Sequence, residues 1–225
     1  MNLVLNQIET RVLGSLIEKE ITTPEYYPLS LNALCNACNQ KSNRDPVMDL
    51  SEKDVSIAID TLRDKKLVWQ LSTTGSRVLK YEHNLKSLFT LTKSEIAILC
   101  VLILRGPQTI GEIRIRAERM YPFSSLEEAA DTLNGLSERD DGPFVTILPK
   151  QPGQKEERYM HLFSGIPETT LNTDETDRKV YSDTPAHIPN DSDIRIKTLE
   201  DDVSFLKSEL AELKRAFFDF KKQLE

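Results

Sequence analysis

Apolar residues recur at helical spacing in two stretches of this chain that share one plan. LNQIETRVLGSLI, from Leu5, and LTKSEIAILCVLI, from Leu91, both read L-x-x-x-E before an apolar run. In the first, Ile8, Val12, Leu13 and Leu16 share one face of a helix. TTPEYYPLS (22–30) holds two prolines and ends that helix. Leu31, Leu34, Cys35 and Cys38 then form a second stripe. Val55, Ala58, Ile59 and Leu62 form a third, opened by a capping box of Ser51 and Asp54. The second copy repeats this order with TIGEIRIRAERM (109–120) and an acidic helix ending Ala130-Asp131-Thr132-Leu133. Strand-like runs follow each helical trio, 67–71 with 78–82 and 144–148 with 158–162. The later strand carries Tyr-x-His both times, Tyr81 with His83 and Tyr159 with His161, and alternate residues on a strand share a face, so a packing role is expected. Three helices and a β-hairpin are the plan of a winged helix, a form of helix-turn-helix, and finding it twice strengthens the assignment. The expected fold is mainly α with small β-hairpins, as tandem winged-helix domains over 1–89 and 90–165.

Periodicity is lost over residues 166–193, which are rich in Thr, Asp, Pro and Ser and read as a flexible linker. It returns over 194–225 as a heptad seam. Ile196, Val203, Leu210, Phe217 and Leu224 fall at a, and Leu199, Leu206, Leu213 and Phe220 at d. In a parallel homodimer the flanks pair Arg195 with Glu200, Asp202 with Lys207 and Glu209 with Lys214, all opposite in sign. An antiparallel pair would bring Lys207, Lys214 and Lys221 together. A parallel coiled-coil homodimer is therefore expected; the alternative is one amphipathic helix folding back on its own chain.

Composition adds constraints. The longest apolar run, Ile96–Leu104, is nine residues against the about 20 that a membrane span needs, so it reads as a core helix. No secretion signal is apparent in MNLVLNQIETR, and three cysteines argue against a disulfide framework, so a cytoplasmic protein is expected. Net charge is −7, but residues 1–89 carry 11 basic and 11 acidic side chains, 90–166 carry 9 and 11, and 167–225 carry 9 and 14. Neither globular half has the basic excess of a domain held to DNA mainly through phosphates.

The third helix, which a winged helix usually offers to the major groove, makes this sharper. Its outward face would show Glu52, Lys53, Ser56, Asp60, Arg63 and Asp64 in the first copy, and Glu127, Glu128, Asp131, Asn134 and Glu138 in the second. Positive charge lies elsewhere, at Gln40, Lys41, Ser42, Asn43 and Arg44 before the first third helix and at Arg77 and Lys80 on the first wing. Arg114, Arg116 and Arg119 lie on the second helix of copy two, where Arg114 and Arg116 cannot share a face, and Lys150 and Lys155 flank the second wing turn. Asn, Gln and Arg read adenine and guanine bidentately, which makes 40–44 the leading nucleic-acid candidate. The competing reading is a structural connector whose amides satisfy backbone groups. Cys35 and Cys38 form a C-x-x-C without a second pair and fall on an apolar stripe, so buried thiols are expected rather than zinc or redox chemistry. Phosphate-loop motifs are missing and no nucleophile stands beside a base in sequence. No catalytic residue, metal site or cofactor is expected.

TTPEYYPLSLN (22–32), NACNQKSNRDPVM (36–48), GPQTIGEIRIRAERMYPF (106–123), DGPFV (141–145) and RYMHLFSG (158–165) together resemble the signature of the YceH-like family of uncharacterised bacterial proteins. The resemblance covers residues 3–165 and implies tandem winged helices in a bacterial cytoplasmic protein, but no activity. The expected function is non-enzymatic binding of double-stranded DNA by a homodimer, in a regulatory or architectural role. The rival is a scaffold that docks another protein on its acidic surfaces; a thiol or zinc sensor at Cys35 and Cys38 is a distant third.

Overall fold

Both L-x-x-x-E motifs are helix caps. Asn6 Oδ1 accepts from the N–H of Ile8 and Glu9, each at 2.9 Å, while Glu9 Oε2 accepts from Asn6 N–H at 2.9 Å. Thr92 and Glu95 form the same reciprocal pair. Each box satisfies amides that have no partner inside the helix. The helices they open, α1 (Gln7–Thr22) and α5 (Lys93–Arg105), each begin an equivalent half of the molecule.

The computed structural model describes residues 4–72, 78–150, 154 and 156–165. Within these, the first half continues through a 3-10 turn (Pro24–Tyr26), β1 (Leu29–Ser30), α2 (Leu31–Cys38), α3 (Glu52–Asp64), β2 (Val68–Leu71) and β3 (Lys80–His83). After the short α4 (Leu85–Leu88), the second half contains α5, α6 (Ile110–Ala117), α7 (Leu126–Ser137), β4 (Val145–Leu148) and β5 (Arg158–His161). The fold is thus mainly α with two small antiparallel sheets. The first has strand order β1-β3-β2 and the second pairs β4 with β5.

The halves correspond in detail. Leu29 pairs with Tyr81, and an isolated bridge pairs Gln108 with Tyr159, so both tyrosines of the Tyr-x-His motifs meet the segment that opens the half's second helix. Tyr81, His83, Tyr159 and His161 all face inward and are buried. β2 and β4 begin one residue later than the pattern predicts, because Leu67 N–H still donates to Leu62 O and Phe144 N–H to Leu136 O as the chain leaves each third helix. β3 starts two residues late, at Lys80 instead of Val78, and β5 starts at Arg158 as expected. The hairpin tips at 73–77 and 151–153, the linker read at 166–193 and the heptad segment at 194–225 lie outside the described residues.

One expectation changes at α1. Its sequence suggests a single buried face, yet every residue from Glu9 to Glu18 is buried. Several elements cover the side that the pattern leaves polar: Lys65 reaches Glu9, the α2–α3 connector reaches Arg11 and Glu18, and α5 packs over Gly14. The helices cross where Gly14 faces Ile103 and Leu104: a Cβ on Gly14 would stand 2.5 Å from Ile103 Cγ2 and 2.8 Å from Leu104 Cδ2. Cys100 Sγ lies 3.7 Å from Gly14 O at the same crossing. The two halves consequently share one apolar core within a single compact unit. Among the described residues, no helix is long and apolar enough to cross a membrane.

Candidate functional site

The connector between α2 and α3 divides its residues between two tasks. Asn39 closes the loop, its Oδ1 accepting from Leu50 N–H and its Nδ2 donating to Leu50 O, both at 2.8 Å. Asn43 adopts a left-handed conformation at φ 61°, which asparagine tolerates, and the chain turns there. Arg44 then points inward. Its guanidinium donates to both Glu18 carboxylate oxygens at 2.7 and 3.2 Å, to Ala37 O at 2.8 Å and to Gln40 Oε1 at 3.2 Å. The Arg44 side chain has no exposed surface. It therefore cannot reach a nucleic acid and leaves the candidate set: the structural reading of the connector holds for this residue. Burial alone would raise the Glu18 pKa, but Arg44, with Lys19 beside it, holds it below the ordinary carboxylate range.

The residues before Arg44 face outward into a 400 Å³ cleft. Lys19, Thr22 and Thr23 come to it from the end of α1, Gln40–Asn43 from the connector, Arg105 from the end of α5, and Arg116 and Arg119 from α6 and the turn after it. Five cations thus line one concavity, and the only carboxylate among the lining residues, Glu18, is already committed to Arg44 and Lys19. This local excess sits in a body whose halves have balanced or slightly negative charge. Arg105 registers it: burial, then the nearby Arg116, depress its pKa. Arg116 pairs with Glu112 at 3.4 Å.

The amides reinforce the sign. Gln40 Oε1 accepts from Lys19 Nζ at 3.4 Å and from Arg44. Asn43 Oδ1 accepts from Arg105. Both amide oxygens are therefore taken by cations, while neither NH₂ group has a protein partner among the described residues. The Thr22 and Thr23 hydroxyls donate back to the helix carbonyls of Glu18 and Lys19. What the cleft offers outward is overwhelmingly N–H donors, and the species complementary to that is an acceptor-rich anion.

Of the residues picked out by sequence, Gln40, Lys41, Asn43, Arg116 and Arg119 are gathered here. Arg119 sits in the turn beyond α6, which ends at Ala117. Arg114 diverges from Arg116, as helical spacing requires, and lines a small separate recess with Phe123. Lys53 and Arg63 are exposed on α3, with Arg63 paired to Asp60 at 3.2 Å. Lys80 is half-buried on β3, and Lys150 is exposed 3.5 Å from Glu157. Arg77, Lys155 and the seam residues from Ile196 to Leu224 lie outside the described residues.

Two further cations of the cleft, Lys19 and Arg105, are marked by no local motif in the sequence. The repeat contained the signal: the capping glutamates Glu9 and Glu95 are 86 residues apart, and so are Lys19 and Arg105. Each half contributes a cation from the same position of its first helix, and the α1–α5 crossing brings the two together.

The acidic face of α7 is narrower than its sequence suggests. Glu128 caps the helix entrance, its Oε2 accepting from the N–H and hydroxyl of Ser124, both at 2.7 Å, and its Oε1 from Tyr121 at 2.8 Å. Glu127, Asp131 and Glu138 remain exposed. Cys35 and Cys38 are both buried on α2. Cys35 Sγ donates to Leu50 O at 3.2 Å, and burial pushes the Cys38 thiol up to about 11, so neither carries a thiolate at neutral pH. Among the described residues no group of three or more His, Cys, Asp or Glu side chains is placed to hold a metal.

Residues 5–154 match the family described as "Protein of unknown function, DUF480". The chain is 50% identical to a UPF0502 protein of Pelobacter propionicus over 225 residues, the whole of both chains. It is 48% identical to one from Geotalea uraniireducens, again over the full length of each. A Koribacter versatilis relative is 57% identical over 166 residues, 74% of this chain and 77% of its own.

Proposed function

The chain belongs to the DUF480 family of bacterial proteins, and from that premise we propose that it is a cytoplasmic, non-enzymatic tandem winged-helix protein that holds DNA through its basic cleft. The observation that carries the reading is the convergence of Lys19, Lys41, Arg105, Arg116 and Arg119 on one surface of a body whose halves are charge-balanced or slightly acidic. The helix–helix–helix–hairpin order, present twice, supports the winged-helix assignment. Contact is to the phosphate backbone. The exposed side chains of α3 and α7 are mainly acidic and would repel phosphates on entering a groove, so these helices do not act as recognition helices. The heptad segment at 194–225 joins two chains in parallel and doubles the number of clefts, so that modest single-site affinity becomes avidity.

Mobility shifts of a duplex at 50 and 200 mM salt test this. Neutralising about four phosphates predicts a loss of affinity of roughly 100-fold across that range. Arg116→Gln with Arg119→Gln should weaken binding uniformly across sequences. Absence of binding at 50 mM salt sinks the reading.

The exposed Glu127, Asp131 and Glu138 on α7 favour a second reading, a docking surface for a basic protein partner. In that case charge reversal at Glu127 and Asp131 abolishes capture of a defined partner and leaves DNA retention unchanged. Glu128 is unsuitable for that test, because its loss would damage the α7 cap.

A further inference from the structure

We propose that the basic cleft is a binding site for a nucleoside polyphosphate, which competes with DNA for the same cations. The inference rests on the cleft being a phosphate site, as proposed above, and adds a ligand and a regulatory consequence.

Size argues first. Small-molecule sites usually enclose about 300–1,000 Å³, and this cleft lies within that range at 400 Å³. A concavity of these dimensions takes one nucleotide whole, whereas a duplex can offer it only backbone phosphates. Chemistry argues second. Lys19 and Arg116 have carboxylate partners, but Lys41, Arg105 and Arg119 bring three further positive charges, more than a mononucleotide phosphate neutralises, whereas a di- or triphosphate presents several anionic oxygens within the span of a single ligand. Lys41 and Arg119 are exposed at the rim, while Lys19, Arg105 and Arg116 are partly buried within the cleft. The partly buried cations are the ones whose charge solvent screens least.

The rest of the lining suits a nucleoside. Val101, Leu104 and Met120 give an apolar wall, and the NH₂ groups of Gln40 and Asn43 can donate to base or ribose oxygens. Both amides are oriented by cations that hold their oxygens, so these donors are in place before a ligand arrives. DNA and nucleotide would draw on Arg105, Arg116 and Arg119 alike. Occupation of the cleft then removes the positive field that DNA needs, and the protein's hold on DNA follows nucleotide concentration by mass action.

Isothermal titration of the full-length protein with GDP, ADP and inorganic pyrophosphate, at matched ionic strength and 50 mM salt, tests the site without DNA. The expected result is saturable binding of at least one nucleotide below 1 mM, at least fivefold tighter than pyrophosphate. Arg105→Gln with Arg116→Gln should weaken it at least tenfold, and so should the rim pair Lys41→Gln with Arg119→Gln, which touches no core contact. Lys53→Gln with Arg63→Gln, on α3, should leave it unchanged, and circular-dichroism melts confirm that each variant is folded. No saturable nucleotide binding, pyrophosphate binding as tightly as nucleotides, or indifference to both cleft pairs overturns the proposal. A mobility shift with saturating nucleotide then addresses competition, with at least a tenfold loss of DNA affinity expected. Nucleotide and DNA bound together without mutual loss would overturn the regulatory half. Nucleotide binding by a protein that retains no DNA would instead refute DNA binding and leave the ligand site standing.

Discussion

Arg44 lies in a polar string, Gln40 to Arg44, where one-dimensional reading gives every member the same standing. The folded chain separates them: Lys41 and Asn43 line the cleft, and Arg44 is locked on Glu18 with no exposed surface. Removing one partner of such a buried pair leaves the other uncompensated, so Arg44→Ala should cost about 3–5 kcal/mol in urea denaturation. Glu18→Leu combined with Arg44→Met, which removes both charges and fills similar space, should cost less than Arg44→Ala alone. His161 allows a prediction in pH. It is buried against Phe163 with no partner for Nδ1, and burial depresses its pKa to about 4. The unfolded chain takes up this proton near pH 6.5 and the folded one only near 4, so stability is complete above 6.5 and falls as pH drops through that window. The loss attributable to His161 is about 3 kcal/mol. Urea titrations at pH 7, 5.5 and 4 on the native protein and on His161→Phe should show their difference shifting by that amount. Its counterpart His83, paired with Glu20 at 2.9 Å, shows that the repeated motif conserves a position on the sheet and not an electrostatic environment.

At the scale of elements, helix order, the capping boxes and the inward-facing strand motifs could be read directly, because each is a local pattern with a fixed period. The all-round burial of α1 could not. Glu9, Thr10, Arg11, Ser15 and Glu18 look like a solvent face, yet each lies against another part of the fold, with Glu9 bonded to Lys65 at 2.7 Å and Arg11 donating to Cys38 O and Pro46 O. Gly14 is the residue on which the helix crossing depends. In an isolated helix Gly14→Ala would gain about 1 kcal/mol of propensity. Here the added methyl meets the stiff, β-branched Ile103 at 2.5 Å, and overpacking of this kind costs about 1–3 kcal/mol. The expected outcome is a net loss of stability, read as a lower urea midpoint with an unchanged slope. A midpoint that rises would show that α5 shifts freely over α1.

For the whole molecule, the crossing does more than seal a core. It places the ends of α1 and α5 side by side, so that Lys19 and Arg105, 86 residues apart in sequence, face one cleft with the α2–α3 connector and the end of α6. A variant that loosens the crossing should therefore weaken ligand binding as well as stability, although no cleft residue is changed. Self-association, as proposed, belongs to the heptad segment. Leu206→Asp with Leu213→Asp should put unpaired carboxylates into the seam at a cost of several kcal/mol and yield folded monomers by analytical ultracentrifugation. Retention of the dimer mass would place association elsewhere on the chain.

Periodicity and punctuation in the sequence determined the repeat, the kind and order of its elements, the caps that open its helices and the residues that turn inward on its strands. These follow from contacts within a few residues of each other. Which cations stand together, which one is buried and which polar face of α1 is covered were decided only by tertiary packing, within and between the halves, because those outcomes depend on residues tens of positions apart. A charge in a sequence has a sign but no neighbours; the crossing of α1 and α5 supplied them.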